Sequence, residues 1–354
     1  MSGLTMVGSS AQETTKRIDF SDTQTRLILQ ILIYGVIPSV SVLGIFGNMS
    51  SIWVLARRGM QKCANIMLIS LALSDMNFLI GLNSIPRLIY DVIGDMDRFA
   101  YSYALSYALY IFYNLFHIVN YASLGVSLTL PMFITLERLV AVFAPFHIQH
   151  VITPFRTWLA IGLVNVFWYA FFIHMSFYLT FTYEYNTALN VTVGFIGRSN
   201  YHYANLRTVL ALEEIMSYLM MKIPPVFTLV GCVCIGVKVK MASISRLRLT
   251  SGYAADEFPG RTTKILLAVC VVYTVTCGIL SLPVHIPQYM YYTMTSDAPS
   301  NFSKIMYHVM NLVVCFNCSC NFVLYVGLNK NFRETYKKLL WRCWQRKQNK
   351  SCAI

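Results

Sequence analysis

The sequence predicts an all-α membrane protein, a seven-transmembrane helix bundle followed by a short amphipathic eighth helix. Two observations carry that expectation. Seven apolar stretches joined by short loops fill almost everything between Leu27 and Leu328, and a helical crossing of a bilayer core needs roughly 20 apolar residues. The composition agrees: 56% of the 354 residues are hydrophobic and only 12% charged, with a mean hydropathy of +0.54, where soluble domains carry about 25% charge. Lipid offers bare backbone no hydrogen-bond partner, so each crossing has to be a helix.

In order, the expected crossings are Leu27–Leu55, Ala64–Tyr90, Tyr101–Phe143, Phe155–Phe181, Thr208–Val239, Ile265–Tyr292 and Phe302–Leu328. They form one membrane domain over 27–328, between a polar N-terminus (1–26) and a basic tail (329–354). Met1–Arg26 has no apolar stretch ahead of a small-residue cleavage site, so the first helix is expected to act as its own insertion signal. If the N-terminus lies outside, the inner segments hold 18 basic residues against 3 acidic, and the outer ones 9 against 10. Positive loops stay inside, which predicts a multi-pass protein of the plasma membrane with its N-terminus outside and its C-terminus cytoplasmic. The pI near 9.3 then reflects topology. It does not point to nucleic acid, because the basic residues are split over membrane-flanking loops rather than gathered in a stripe. A basic inner face does attract anionic membrane lipid.

The tail continues the pattern. Phe332, Tyr336, Leu339, Leu340 and Cys343 recur at helical spacing, with Lys330, Arg333, Lys337, Lys338 and Arg342 on other faces, the layout of a helix lying on an anionic surface. Cys343 at its end is a candidate for palmitoylation or a free thiol. Two glycosylation sequons fall in expected outer loops, at Asn190 and Asn301, and two others, at Asn48 and Asn317, fall within helices and are discounted.

Polar residues inside a membrane are costly and mark function or packing. The first run contains Gly47-Asn48, the second Leu71-Ala72-Leu73-Ser74-Asp75, the third ends Glu137-Arg138-Leu139 with Pro145 beyond it, and the seventh ends Asn321-Phe322-Val323-Leu324-Tyr325. Each alone reads as readily as a helix-packing contact. Together, in order and at matching depth, they resemble the rhodopsin-like (class A) family of G-protein-coupled receptors, over Asn48 to Phe332. The chain departs from that pattern at Leu139 (family Tyr), at Phe322 (family Pro), at Leu280-Ser281-Leu282-Pro283 (no Trp), and at Tyr113, where most members carry a Cys bonded to the second outer loop. Thr182–Arg207 has no Cys either, so that disulfide is not expected. The loop is then either more mobile or held by its Tyr-rich packing.

The resemblance implies roles. Glu137, Arg138, Pro145, Asn321 and Tyr325 would serve activation and coupling to a heterotrimeric G protein. Arg138 would be restrained by Glu137 at rest, although a snorkelling interfacial Arg is the plainer reading. Asn48, Asp75, Ser127, Asn317 and Asn321 would form a mid-membrane layer. Hard oxygen donors of this kind suit a sodium ion at Asp75, or equally a water-filled polar network; no other cofactor is expected. The outer half offers His117, Asn120, Tyr121, Glu214, Lys222, His285 and Gln288 as ligand contacts. Cys315 stands where retinal pigments carry a Schiff-base Lys, and Asn120 where amine receptors carry an Asp, so light and amines are disfavoured. Mixed charge among many Tyr residues fits an extracellular peptide or a small chemical cue, and the Asn317–Phe322 run is similar to invertebrate neuropeptide and chemosensory receptors. No nucleophile–base or metal motif points to an enzyme. The alternative is a multi-pass transporter, against which stands the absence of half-to-half similarity.

Overall fold

The computed structural model describes residues 20–84, 98–99, 101–187, 190–249, 260–285 and 300–351. The helices are α1 (Asp22–Arg57), α2 (Cys63–Leu82), α3 (Tyr103–Phe143) and α4 (Pro154–Ser176). They are followed by α5 (Leu206–Ser217, Tyr218–Lys222 and Ile223–Leu249 in one run), α6 (Gly260–His285), α7 (Asn301–Leu328) and α8 (Lys330–Ser351). Among the described residues, α1 to α5 and α7 are long and apolar enough to cross a membrane, and α6 contributes the shorter apolar stretch Ala268–Leu282.

Local chemistry sets several boundaries. Helix α1 starts five residues before the expected Leu27, because Ser21 and Gln24 form a reciprocal capping box that satisfies otherwise orphaned N–H groups. Wide π turns occupy Ile31–Val36 and Tyr218–Lys222, just ahead of Pro38 and of Pro224-Pro225. A helical proline lacks its N–H and its ring crowds the carbonyl four residues back, and a π turn relieves that crowding. Pro131 leaves α3 continuous. Thr135 Oγ1 donates to the Pro131 carbonyl at 2.8 Å. Helix α4 stops at Ser176 rather than at Phe181, because Leu179–Asn186 leaves as a strand. The ends of the expected second and sixth runs, 85–90 and 286–292, lie outside the described residues.

Helix α2 packs between α1 and α3, α3 also meets α4 and α5, and α7 closes the bundle against α1 and α6. Small residues permit these approaches. A Cβ on Gly44 would overlap Ser319, and one on Gly47 would sit 2.9 Å from the Cβ of Phe322, the residue standing in place of Pro. On Gly125 it would come within 2.5 Å of the Trp168 ring. Phe78, Leu79, Leu128, Trp168, Phe172, Tyr273 and Val314 belong to the central core. Large apolar side chains also face outward, among them Leu43, Phe46, Leu163 and Val226, as expected where the solvent is lipid. Helix α8 seats Phe332 and Leu339 against Val54, Leu55 and Tyr325. Asn329 Oδ1 caps it at 3.1 Å from the Phe332 N–H. The side chains of Leu340 and Cys343 lie outside the described residues.

A small sheet adds to the all-α plan. Strands β1 (Arg98–Phe99), β2 (Leu179–Asn186) and β3 (Val191–Arg198) run antiparallel in the order β1-β3-β2. They are built from the segments between α2 and α3 and between α4 and α5, and so sit at one end of the bundle. The opposite end carries Arg138 and α8.

Candidate functional site

At the α8 end, Arg138 Nε lies 3.1 Å from Glu137 Oε2, with Glu137 nearly buried and Arg138 partly exposed. Both line a cleft of about 330 Å³ with Lys62, Cys63, Ile148 and Ile152. The cleft is therefore shared by the start of α2, the end of α3 and the short turn Ile148–Val151. Pro145 is exposed in the bend leaving α3, where the His147 N–H donates to the Ala144 carbonyl at 3.0 Å. Tyr325 is buried in the α1–α7–α8 cluster, and its hydroxyl has no hydrogen-bond partner.

At mid-depth Asp75 is fully buried. Ser127 Oγ donates to Asp75 Oδ1 at 2.5 Å and Asn321 Nδ2 to Oδ2 at 2.8 Å. Cys318 extends the layer: its carbonyl accepts from Asn48 Nδ2 at 3.0 Å. The acid on α2 is thus tied directly to α3 and α7, and α7 is tied to α1 through the Cys318 carbonyl. Asn317 is buried nearby on α7, and its carbonyl lies 3.2 Å from the Cys320 thiol. Among the described residues no group of three His, Cys, Asp or Glu stands together as a metal site. The donor chemistry of the Asp75 layer nevertheless fits a hard monovalent cation, since carboxylate, hydroxyl and amide oxygens dominate it. The buried Asn48 Oδ1 has no partner of its own.

At the sheet end the expected contacts divide. His117 and Tyr121 come together, with ring centroids 4.5 Å apart. Tyr121 packs on Phe172 of α4, and its hydroxyl lies 2.7 Å from that of Tyr307 on α7. Asn120 does not join them as a ligand-facing group. It is buried, its amide donates to the Phe78 carbonyl at 2.9 Å, and it sits where Gly81 lets α2 approach α3. Lys222 is half-buried with its ammonium 3.9 Å from the Tyr218 ring centroid. Glu214 is exposed on α5, and its neighbour Glu213 is the half-buried acid. The side chain of His285, and Gln288 altogether, lie outside the described residues.

The sheet is held by aromatic packing. Phe181 contacts Tyr103, Tyr107 and Tyr110 along α3 at 5.5–6.1 Å between centroids. The Tyr183 hydroxyl donates to the Tyr101 carbonyl at 2.9 Å. Of the two alternatives left by the missing cysteines, the structure takes the Tyr-rich packing. Asn190 is exposed near the β2–β3 tip at φ 54°, a conformation Asn tolerates better than most residues. Asn301 is placed differently: its Nδ2, the atom a glycan would occupy, donates to the Phe20 carbonyl at 3.0 Å and to Asp22 Oδ1 at 2.7 Å. Phe20 stacks on Phe302 beside it.

Three participants escaped sequence reasoning. Cys318 reads as a packing residue, yet its carbonyl holds Asn48 beside the Asp75 layer. Tyr273 on α6 is buried and donates to the Leu128 carbonyl of α3, in a helix that lacks the family Trp. Tyr307 completes the Tyr121 pair. Nothing in an apolar run distinguishes such a Tyr from an interfacial one; only the helix face does.

The sequence model of the serpentine type 7TM GPCR chemoreceptor Srw matches residues 36–343. The FMRFamide peptide receptor frpr-18 of Caenorhabditis elegans is 25% identical over 84% of this chain and 66% of its own length. The Trissin receptor of Drosophila melanogaster is 28% identical over 26% of this chain and 14% of its own. The chain therefore spans at most about two thirds of these relatives. Receptors, and no transporter, stand on that side of the comparison. A family match over so much of the sequence settles membership, and this protein belongs to the serpentine seven-transmembrane GPCR chemoreceptor family Srw.

Proposed function

We propose that this protein sits in the plasma membrane with the sheet outside and α8 at the cytoplasmic face. There it passes the binding of an extracellular ligand to a heterotrimeric G protein at Arg138. The observation that carries the reading is the Glu137–Arg138 pair, 3.1 Å apart in an open cleft at the end away from the sheet. The side chains of that pair compete. While Glu137 holds the guanidinium, Arg138 is turned to its own helix; separation of the helix ends frees five donors for a partner's carbonyls. The charge imbalance between loops supports the orientation.

The ligand would meet the aromatic chain Tyr113–His117–Tyr121 and Tyr307. One of the two relatives is a peptide receptor by name, which favours a peptide; the family is one of chemoreceptors, which favours a small chemical cue as the second reading. Ligand-driven shifts of α3 and α7 would reach the cytoplasmic end through the Asp75 layer, which binds both helices. Asp75, Ser127 and the Asn48 oxygen would hold a sodium ion, supplying fixed positive charge to a buried acid. Asn190 is the better-placed glycan acceptor, and Cys343 on α8 would carry a palmitoyl chain.

Purified receptor mixed with a panel of nucleotide-free heterotrimers tests the reading. One heterotrimer class should co-elute, and Arg138→Ala should weaken it about ten-fold or more, the loss usual for a buried interface Arg. Co-elution unaffected by Arg138→Ala would place coupling elsewhere.

A further inference from the structure

A second cavity lies away from both ends of this pathway. A groove of about 360 Å³ runs between α5 and α6, walled by Val233, Gly236 and Val237 on one side and Cys270, Val271 and Thr274 on the other, with Lys240 at one end. It opens outward. Val233, Val237 and Val271 are 57%, 54% and 61% exposed, so the space faces the lipid rather than the bundle interior. Its floor is closed by the neighbouring Cys232 and Cys270 thiols, both buried and both reduced. Across α5, Lys238 lies 5.8 Å from the ring of Phe143, the last residue of α3. Lys240 therefore belongs to the same level of the membrane as the Glu137–Arg138 end.

We propose that this groove is a binding site for a single membrane lipid with an anionic headgroup, its acyl chain between α5 and α6 and its headgroup on Lys240. Two physical points select that occupant. Lipid tails are as apolar as the valine walls, so the walls admit any chain without preferring one. Selection must come from charge. A lysine near the membrane surface contributes about 1 kcal/mol toward an anionic lipid, and its stem snorkels to place the ammonium at headgroup level. Among the described residues the groove is apolar apart from the Thr274 hydroxyl and carries a cation at one end, which makes it complementary to an acyl chain with a negative head. Because α5 and α6 each supply one wall, the lipid would bridge them. The site does not depend on the ligand or on the G protein, so its failure would leave the proposed coupling untouched.

The site makes separable demands on two residues. Among the described residues an added Cβ at Gly236 meets nothing within 4 Å, so Gly236→Leu is expected to fill the groove while the chain still folds. Lys240→Gln removes the headgroup contact. Lys238→Gln removes the same charge two residues away, outside the groove lining, and serves as the control for general attraction to the basic face. The full chain would be reconstituted in nanodiscs of phosphatidylcholine with a minor fraction of phosphatidylserine, extracted mildly, and its retained lipids counted by mass spectrometry. Wild type and Lys238→Gln should retain phosphatidylserine preferentially; Lys240→Gln should lower that enrichment about five-fold. Gly236→Leu should abolish retention of one lipid equivalent while leaving thermal stability unchanged. Equal loss in Lys238→Gln and Lys240→Gln, or full retention in a folded Gly236→Leu, would overturn the proposal.

Discussion

The acid–arginine pair turns on two adjacent side chains. Glu137 is nearly buried and its closest charge is Arg138. Replacing it by Gln keeps the shape and removes the charge that restrains the guanidinium. Glu137→Gln should raise ligand-free nucleotide exchange about five-fold, the lower end of typical coupling energies between sites, as read in membranes without added stimulus. At Asp75 the contest is between a sodium ion and water. Asp75 is wholly buried and accepts from Ser127 and Asn321, so its charge needs compensation that two neutral donors supply only in part. Wild type is expected to melt at a higher temperature in sodium chloride than in potassium chloride, and Asp75→Asn should erase that difference. Identical melting of wild type in both salts would leave a plain water network. Motif spacing made Asp75, Ser127 and Asn321 legible in the sequence, because a motif fixes depth along a helix. It does not fix the face. Asn120 sits at the depth of a ligand contact but turns to Phe78, and Glu214 sits one residue away from the half-buried Glu213.

At the scale of elements, close packing is concentrated where glycine replaces a side chain. A Cβ on Gly81 would stand 3.0 Å from the backbone of Asn120, an atom that cannot rotate away. Gly81→Ala should therefore lower stability by about 1–3 kcal/mol through overpacking, whereas Gly162→Ala, which meets nothing within 4 Å, should leave thermal unfolding unchanged. The sheet depends on Phe181 much as related receptors depend on a disulfide. Each aromatic pair contributes about 0.5–1.5 kcal/mol beyond burial, so Phe181→Ala should speed hydrogen exchange across 179–198 at least ten-fold while α3 and α4 keep their protection. The long helices were readable from hydropathy, since lipid forces a helix wherever an apolar run is long enough. The hairpin was not: Leu179-Thr180-Phe181 continues the apolar run of α4, and only its pairing with β3 reveals the strand. The π turns escaped too, although the prolines causing them were in plain view. By contrast the Ser21-x-x-Gln24 capping box was legible and would have placed the true start of α1.

For the whole molecule, three levels line up along the bundle axis. An aromatic chain joins α3 to α4 and α7 near the sheet, a buried acid joins α2 to α3 and α7 at mid-depth, and an ion pair closes the end of α3 near α8. Helix α3 takes part in all three. A change at one end therefore has a continuous packed route to the other, carried by the single 41-residue helix that Pro131 does not interrupt. The G-protein-coupled receptor class and the bundle were both legible from seven runs and four short motifs, because membrane insertion leaves few alternatives once the runs are counted. The ligand was not, because recognition depends on side-chain faces at the sheet end that no motif spacing specifies.

The most direct measurement is nucleotide exchange on a panel of heterotrimeric G proteins in membranes carrying this chain, stimulated with peptide extracts and small chemical cues, beside membranes carrying Arg138→Ala. Stimulated exchange on one G-protein class, reduced at least ten-fold by Arg138→Ala in protein that still reaches the cell surface, is the expected result. Exchange that persists undiminished in Arg138→Ala would contradict the assignment of coupling to the Glu137–Arg138 end.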